Sequence, residues 1–347
     1  MDLLFLYTEL SGYFASCIKE LATRTGSIHI VRWQINAEAP FQFDFPENVT
    51  LYERNDYTTT QLIDLSKSIN PNIIFSSGWI DRGYLKVCKH FKSKIPTIMC
   101  MDNQWFGSLK QRIWCIASPF ILKKVYNYAW VPGTPQKEYA FQLGFSPKYV
   151  EDGYLSADVP LFASESKYRT EIETFPHRFI YVGRYIPVKG LDLLFEAFTE
   201  LADELNNDWE LWCAGTGEQF NLRKIHPKIK HFGFLQPTEL SEQLRHAGVF
   251  VLPSRFEPWG VVVHEMAAAG FPMLCSSAVG AVSQFLENGK NGYIFKNGDK
   301  NELKEKMLKI MQTDDATLRK MANHSHQLGI SYTPKDWAEK AMNFANI

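Results

Sequence analysis

Two glutamates, Glu257 and Glu265, stand eight positions apart in RFEPWGVVVHEMAAAG (255–270), with a Pro-Trp-Gly break and three valines between them. Pro258 and Gly260 rule out a single helix carrying both acids. The pattern predicts a strand VFVLP, a loop bearing Glu257, and a helix VVVHEMAAA that holds Glu265 about one turn inside. Both carboxylates can then face one ligand at a helix N-terminus, where the backbone N–H groups of Gly260 and Val261 also point. Carboxylates accept hydrogen bonds from hydroxyls, so the pair suits a polyhydroxylated ligand that also carries oxyanions.

Two glycine-bearing loops accompany it. In YVGRYIPVKGLDLL (181–194) a strand ends, Gly183 frees the backbone, and Arg184 and Lys189 bracket a loop before a helix opens near Gly190. Two cations beside a helix N-terminus at a strand's carboxyl end are what a diphosphate would select. The order is neither GxxxxGK[ST] nor GxGxxG, and alone it reads equally well as a turn with incidental charges. CAGTGE (213–218) follows another strand, and Gly217 would let the backbone approach a ligand, although a tight strand-to-helix turn has the same appearance.

The elements that position these loops alternate. LLFLY, IHIVRW, NIIFSS, TIMCMD and YAWVPG read as strands with helices between them, and after a pause RFIYVG, WELWCAG, VFVLPS and FPMLCSS begin a second series. Such alternation predicts an α/β protein of two doubly wound parallel sheets. The expected boundaries are 1–155 for the first Rossmann-like domain, 156–176 for a polar linker, 177–330 for the second domain and 331–347 for a terminal helix.

Composition fits that plan. The 347 residues are 45% apolar and 22% charged with a net charge of -1, an ordinary globular balance that gives no reason to expect nucleic acid. The six cysteines form no CxxC pair and read as reduced, buried thiols. The opening segment is no signal peptide and no apolar run is long enough to span a bilayer, so the expected location is cytoplasmic, with peripheral contact at the inner face of a membrane. The average charge hides an asymmetry: between Arg82 and Lys148, eleven lysines and arginines face only Asp102 and Glu138. That window reads either as a surface for an anionic partner or as a solvated face.

Taken together, G-R-x4-K-G, G-x-G-E and PS-x2-E-P-x-G-x4-E in this order resemble the carboxyl-terminal domain of retaining glycosyltransferases of the GT-B fold, family 4. NGKNGYIF (288–295) is similar to the segment after that family's donor site, and SYTPKDWAEKAMNF to its terminal helix, which crosses back onto the first domain. The resemblance implies two Rossmann-like domains facing a central cleft, with the acceptor on the amino-terminal side and a nucleotide-sugar donor on the other. It implies that Arg184 and Lys189 neutralise the leaving diphosphate, that Glu257 meets the donor sugar and Glu265 the ribose, and that the backbone at Phe234 and Leu235 meets the base. Pro258, Trp259, Gly260 and Val261 complete the donor side. No DxD motif occurs, so the implied chemistry needs no metal and no cofactor. The acceptor is expected to be a glycan or lipid-linked glycan in surface polysaccharide or lipopolysaccharide synthesis.

The amino-terminal half departs from the family pattern. A Gly-Gly loop after the first strand is reduced to Gly12 in LSGYF, and a histidine usual at the end of TIMCMD is replaced by Met101 and then Asp102. Asp102 reads as a polar group towards the sugar or acceptor, or as a turn former. His264 reads as packing or solvated, and Trp259 as a cover for the sugar or a loop anchor. KQRIWCIASPFILKKVYNYAW (110–130) mixes aromatic and basic residues; Pro119 predicts an interruption, and the segment suits either an anionic lipid surface or a core helix. Two other functions fit the same motifs: a non-catalytic nucleotide-sugar-binding protein, or another enzyme of the fold such as a sugar phosphorylase or epimerase.

Overall fold

Short apolar runs bounded by glycine and helix caps fold as parallel strands, because only strands buried on both faces tolerate near-continuous hydrophobicity. The computed structural model describes residues 1–34, 43–205 and 207–345. The first unit comprises 1–156 and the chain from Thr333 onward, and the second comprises Ala157–Tyr332. In the first, β1 (Asp2–Leu6), β2 (Ser27–Arg32), β3 (Val49–Glu53), β4 (Ile73–Ser77), β5 (Thr97–Cys100), β6 (Tyr128–Trp130) and β7 (Val150–Glu151) form one sheet in the order β3-β2-β1-β4-β5-β6-β7. In the second, β8 (Arg178–Val182), β9 (Glu210–Ala214), β10 (Ile229–Gly233), β11 (Val249–Leu252), β12 (Met273–Ser276) and β13 (Gly292–Phe295) run in the order β10-β9-β8-β11-β12-β13. The expected pair of Rossmann-like α/β domains is what the chain forms.

Both orders reverse beside the first strand of the series. β1 lies between β2 and β4, and β8 between β9 and β11, so the loops after β8 and β11 leave the same edge in opposite directions. Ligands of open α/β sheets bind outside the carboxyl ends of the strands at that reversal. Beneath it, Ile180, Leu211, Phe250, Val251 and Leu274 are fully buried and hold the edge rigid.

Three local expectations change. Of the expected linker 156–176, Ser156 closes the first unit and 157–176 are part of the second, with two short helices, Val159–Ala163 and Lys167–Thr170. Arg169 anchors it: the fully buried guanidinium donates to the carbonyls of Glu165, Leu244, Ala247 and Ala269 and lies 3.8 Å from the centre of the Phe271 ring. Pro119 does not interrupt its segment, since Leu109–Leu122 is one helix with the proline inside. Proline withholds one N–H from the Cys115 carbonyl, but the Ser118 hydroxyl lies 3.4 Å from that oxygen and the helix ends three residues later. Finally, β3, β7, β10 and β13 form without having been expected as strands.

The terminal helix Pro334–Asn343 packs on the helix Gly12–Ala22 of the first unit. Its Trp337 is 1% exposed, lies tilted with its ring centre 4.9 Å from that of Trp130, and donates from Nε1 to the Tyr154 carbonyl at 2.5 Å.

Candidate active site

The loop after β8 closes with one tight turn, Pro187–Lys189, and Gly190 at φ +68° starts the helix Leu191–Glu204. The loop after β11 lies directly against it. Arg255 N–H donates to the Val188 carbonyl at 2.7 Å, and the Arg255 guanidinium holds the Asp192 carboxylate at 2.5 and 2.6 Å. Within this seam Lys189 Nζ is ion-paired with Glu257 Oε2, and the two side chains are only 14% and 13% exposed. The fully buried Ser254 places its hydroxyl 3.4 Å from the same oxygen. A cation and a carboxylate fixed against each other at a sheet reversal are preorganised charges, whereas Arg184 extends from the same loop into solvent.

The helix Val261–Ala268 begins at Gly260, whose φ of +86° is a left-handed conformation that a side chain resists. Its entry is braced from the chain after β12: Gly280 N–H donates to the Glu257 carbonyl at 3.2 Å and Ala281 N–H to the Trp259 carbonyl at 2.9 Å. Trp259 corrects the expectation of a donor-binding ring. It is 2% exposed and sits edge-on to Phe285 with 6.4 Å between ring centres, so the ring anchors the loop from the core side and leaves only its backbone near the site. Its Nε1 has no hydrogen-bond partner among the described residues.

Glu265 lies in the second turn of this helix and keeps an edge to solvent. Burial of the carboxyl, and secondarily the like charge of Asp158, push its pKa up to about 8. Beside it His264 is structural: Nδ1 accepts the Ala157 N–H at 3.0 Å, Nε2 donates to the Gly329 carbonyl at 2.8 Å, and the ring stacks 4.0 Å from Phe285. Desolvation holds its pKa at about 4, so the ring is neutral at ordinary pH.

The loops after β9 and β10 complete the edge. Gly217 adopts φ +149°, and a Cβ there would meet the Tyr185 carbonyl oxygen at 2.7 Å, so only glycine lets this turn press on the Arg184 loop. Tyr185 N–H donates to the Thr216 carbonyl and Gln219 N–H to the Tyr185 carbonyl, both at 2.8 Å. Gly183 lies against the Tyr181 hydroxyl, which donates to the Arg184 carbonyl at 2.7 Å. Phe234 and Leu235 follow Gly233 at the end of β10 and are partly exposed.

Thus the second unit alone gathers Gly183, Arg184, Lys189, Gly217, Phe234, Leu235, Glu257, Pro258, Gly260, Val261 and Glu265 on loops from one edge of its sheet, or in the first turns of the helix that follows β11. Gly12 and Asp102 belong to the first unit. Gly12 opens the helix Gly12–Ala22 just after β1; the preceding Ser11 makes no cap bond, and its buried Oγ has no partner among the described residues. Asp102 follows β5 and adds to the field that keeps the Tyr7 hydroxyl from ionising, after burial, Tyr13 and Cys100; Tyr7 itself is hydrogen-bonded to Tyr154 at 2.9 Å. Sequence reasoning did not single out Ser254, Arg255, Asp192 or Asp158. Ser254 lies inside the quoted PS-x2-E motif, whereas the Arg255–Asp192 pair spans 63 positions and has no local signal.

Residues 163–327, which lie within the second unit, match the model of the family described as glycosyl transferases group 1. An uncharacterized glycosyltransferase of Methanocaldococcus jannaschii is 28% identical over 142 residues, 39% of this chain and 38% of that protein. The chain spans less than two fifths of the length of the first curated relatives that it matches. Among solved structures, Anabaena Alr3699/HepE in complex with UDP and glucose superposes with a TM-score of 0.76 at 15% identity, covering 100% of both chains. WaaG, a glycosyltransferase involved in lipopolysaccharide biosynthesis, superposes with a TM-score of 0.69 at 15% identity over 99% of both chains. The fold is that of the GT-B glycosyltransferases.

Proposed function

We propose that this chain is a metal-independent, retaining glycosyltransferase of hexosyltransferase type that moves a sugar from a nucleotide-sugar to a glycan or lipid-linked glycan. The observation that carries the reading is the Lys189–Glu257 ion pair, fixed at the reversal of the β8–β11 edge, with Arg184 exposed on the same loop as Lys189. In this reading Arg184 and Lys189 neutralise the diphosphate as the glycosidic bond lengthens, and the N–H groups at the start of the helix Val261–Ala268 add to that field. The sugar passes through an oxocarbenium-like state, Glu257 takes hydrogen bonds from its hydroxyls, and Glu265 from those of the ribose. The backbone at Phe234 and Leu235 meets the base. Retention follows if the departing phosphate takes the acceptor's proton on the face it leaves, and Asp102 is assigned to the acceptor side. The UDP and glucose in the Anabaena neighbour support a nucleotide-sugar donor, and the involvement of WaaG in lipopolysaccharide biosynthesis supports a surface-glycan pathway.

Calorimetric titration with UDP-, GDP- and ADP-sugars tests this. One donor class binds the wild type, and Arg184→Ala, which removes an exposed side chain, weakens it at least tenfold while the melting temperature stays close to wild type. Absence of binding by every donor would remove the reading.

A further inference from the structure

The helix Leu109–Leu122 has two faces that do not resemble each other. Ser118 and Leu122 are fully buried, and Trp114 packs against the core of the first unit, its ring 5.8 Å from that of Trp79. On the opposite side Leu109, Ile113, Ile116 and Phe120 are 74%, 60%, 74% and 72% exposed. Their spacing of four, three and four places aligns them in one stripe along about 16 Å of helix. By helical geometry Arg112 flanks this stripe on one side and Lys110 on the other, and Lys123 and Lys124 follow directly at the helix C-terminus; all four are exposed, and the helix contains no acid. Phe106, 50% exposed, precedes its N-cap.

Four large side chains held in water on one stripe cost stability, and nothing in the first unit covers them among the described residues. We infer that this helix seats the first unit on an anionic lipid surface. The stripe enters the boundary between headgroups and acyl chains, and the four cations meet lipid phosphates, which is the arrangement of a helix lying in the interface plane. A second copy of this chain fits less well, because apposing two such helices brings like charges together. The inference stands independently of the transferase reading. Combined with it, docking puts the loop carrying Asp102, which ends where this helix begins, beside the headgroups, and the acceptor served there is lipid-borne.

Cosedimentation of the full chain with vesicles, without any sugar donor, tests the inference. Vesicles of equal parts phosphatidylglycerol and phosphatidylcholine bind the wild type at least tenfold more strongly than phosphatidylcholine alone, and added salt reduces the difference. The double variants Ile113→Asp/Ile116→Asp and Lys123→Glu/Lys124→Glu each lose at least tenfold in binding with an unchanged melting temperature, since these side chains are exposed. A wild type that stays in the supernatant with anionic vesicles overturns the inference, as do variants that bind like wild type. A lipid-free wild-type dimer that Ile113→Asp/Ile116→Asp makes monomeric assigns the stripe to a second copy and overturns it equally.

Discussion

At Glu265 a carboxyl is held where water is scarce and another acid, Asp158, is near, and its pKa rises from about 4.5 to about 8. The sign of the consequence is fixed. Below pH 4.5 the group is protonated in both folded and unfolded chains and contributes nothing. As pH rises from 4.5 to 8 the unfolded chain releases a proton that the folded chain keeps, so the group progressively destabilises the fold, by a few kcal/mol when the shift is taken at 1.36 kcal/mol per unit. Glu265→Gln therefore gains in melting temperature over wild type as pH goes from 5 to 8; a pH-independent difference would contradict the assigned environment. A site that tolerates such a cost is one arranged for something other than stability. The types and spacing of Arg184, Lys189, Glu257 and Glu265 were legible in the sequence, because the first three follow strand ends in recognisable loops and Glu265 lies in the helix that the last of those loops opens. The Lys189–Glu257 pairing was not, since 68 positions separate the partners and only the adjacency of β8 and β11 joins them. Nor was the inward turn of Trp259, which depends on Phe285 and the chain after β12.

Loops carry the chemistry, but strands decide where the loops meet. The strands that the sequence did not announce, β3, β7, β10 and β13, are the four sheet edges. Edge strands are paired on one side only, and β3 and β10 are half exposed, so they lack the continuous apolar run that marked the central strands. The Leu109–Leu122 helix failed for a different reason: the proline rule is local, whereas Ser118 and the packed face of Leu122 compensate from within the fold. At this scale the glycine turn after β9 makes a direct prediction. Gly217→Ala forces a Cβ into the Tyr185 carbonyl at a φ that alanine resists, and it should cost about 2–4 kcal/mol in urea unfolding. A cost below ~0.5 kcal/mol would mean that the Arg184 and Gly217 loops are not in contact.

The whole chain repeats one plan, a parallel sheet whose order reverses beside its first strand, once in each unit. That repetition was legible because both series alternate strand and helix at similar intervals; the assignment of 157–176 to the second unit was not, because its polar surface hides the buried Arg169. The first unit is completed by residues from the far end of the sequence. Trp337 fills an aromatic cluster with Phe5, Phe14 and Trp130, and Lys340 pairs with Glu151 and Asp152. Trp337→Ala should remove about 3–5 kcal/mol from the unfolding free energy of that unit, whereas an unchanged urea midpoint would show that the terminal helix is dispensable to it.

The central claim is that the loops after β8 and β11 hold and activate a sugar donor through its diphosphate. Proton NMR of the anomeric signals, following each of the UDP-, GDP- and ADP-sugars with wild type, Arg184→Ala and Glu257→Gln, tests it most directly. The wild type should turn over one donor with retained configuration in the sugar first released, and the Arg184→Ala rate should fall by about 10²–10³ without loss of fold. Turnover of none of them by the wild type, or equal rates in wild type and Arg184→Ala, would contradict it.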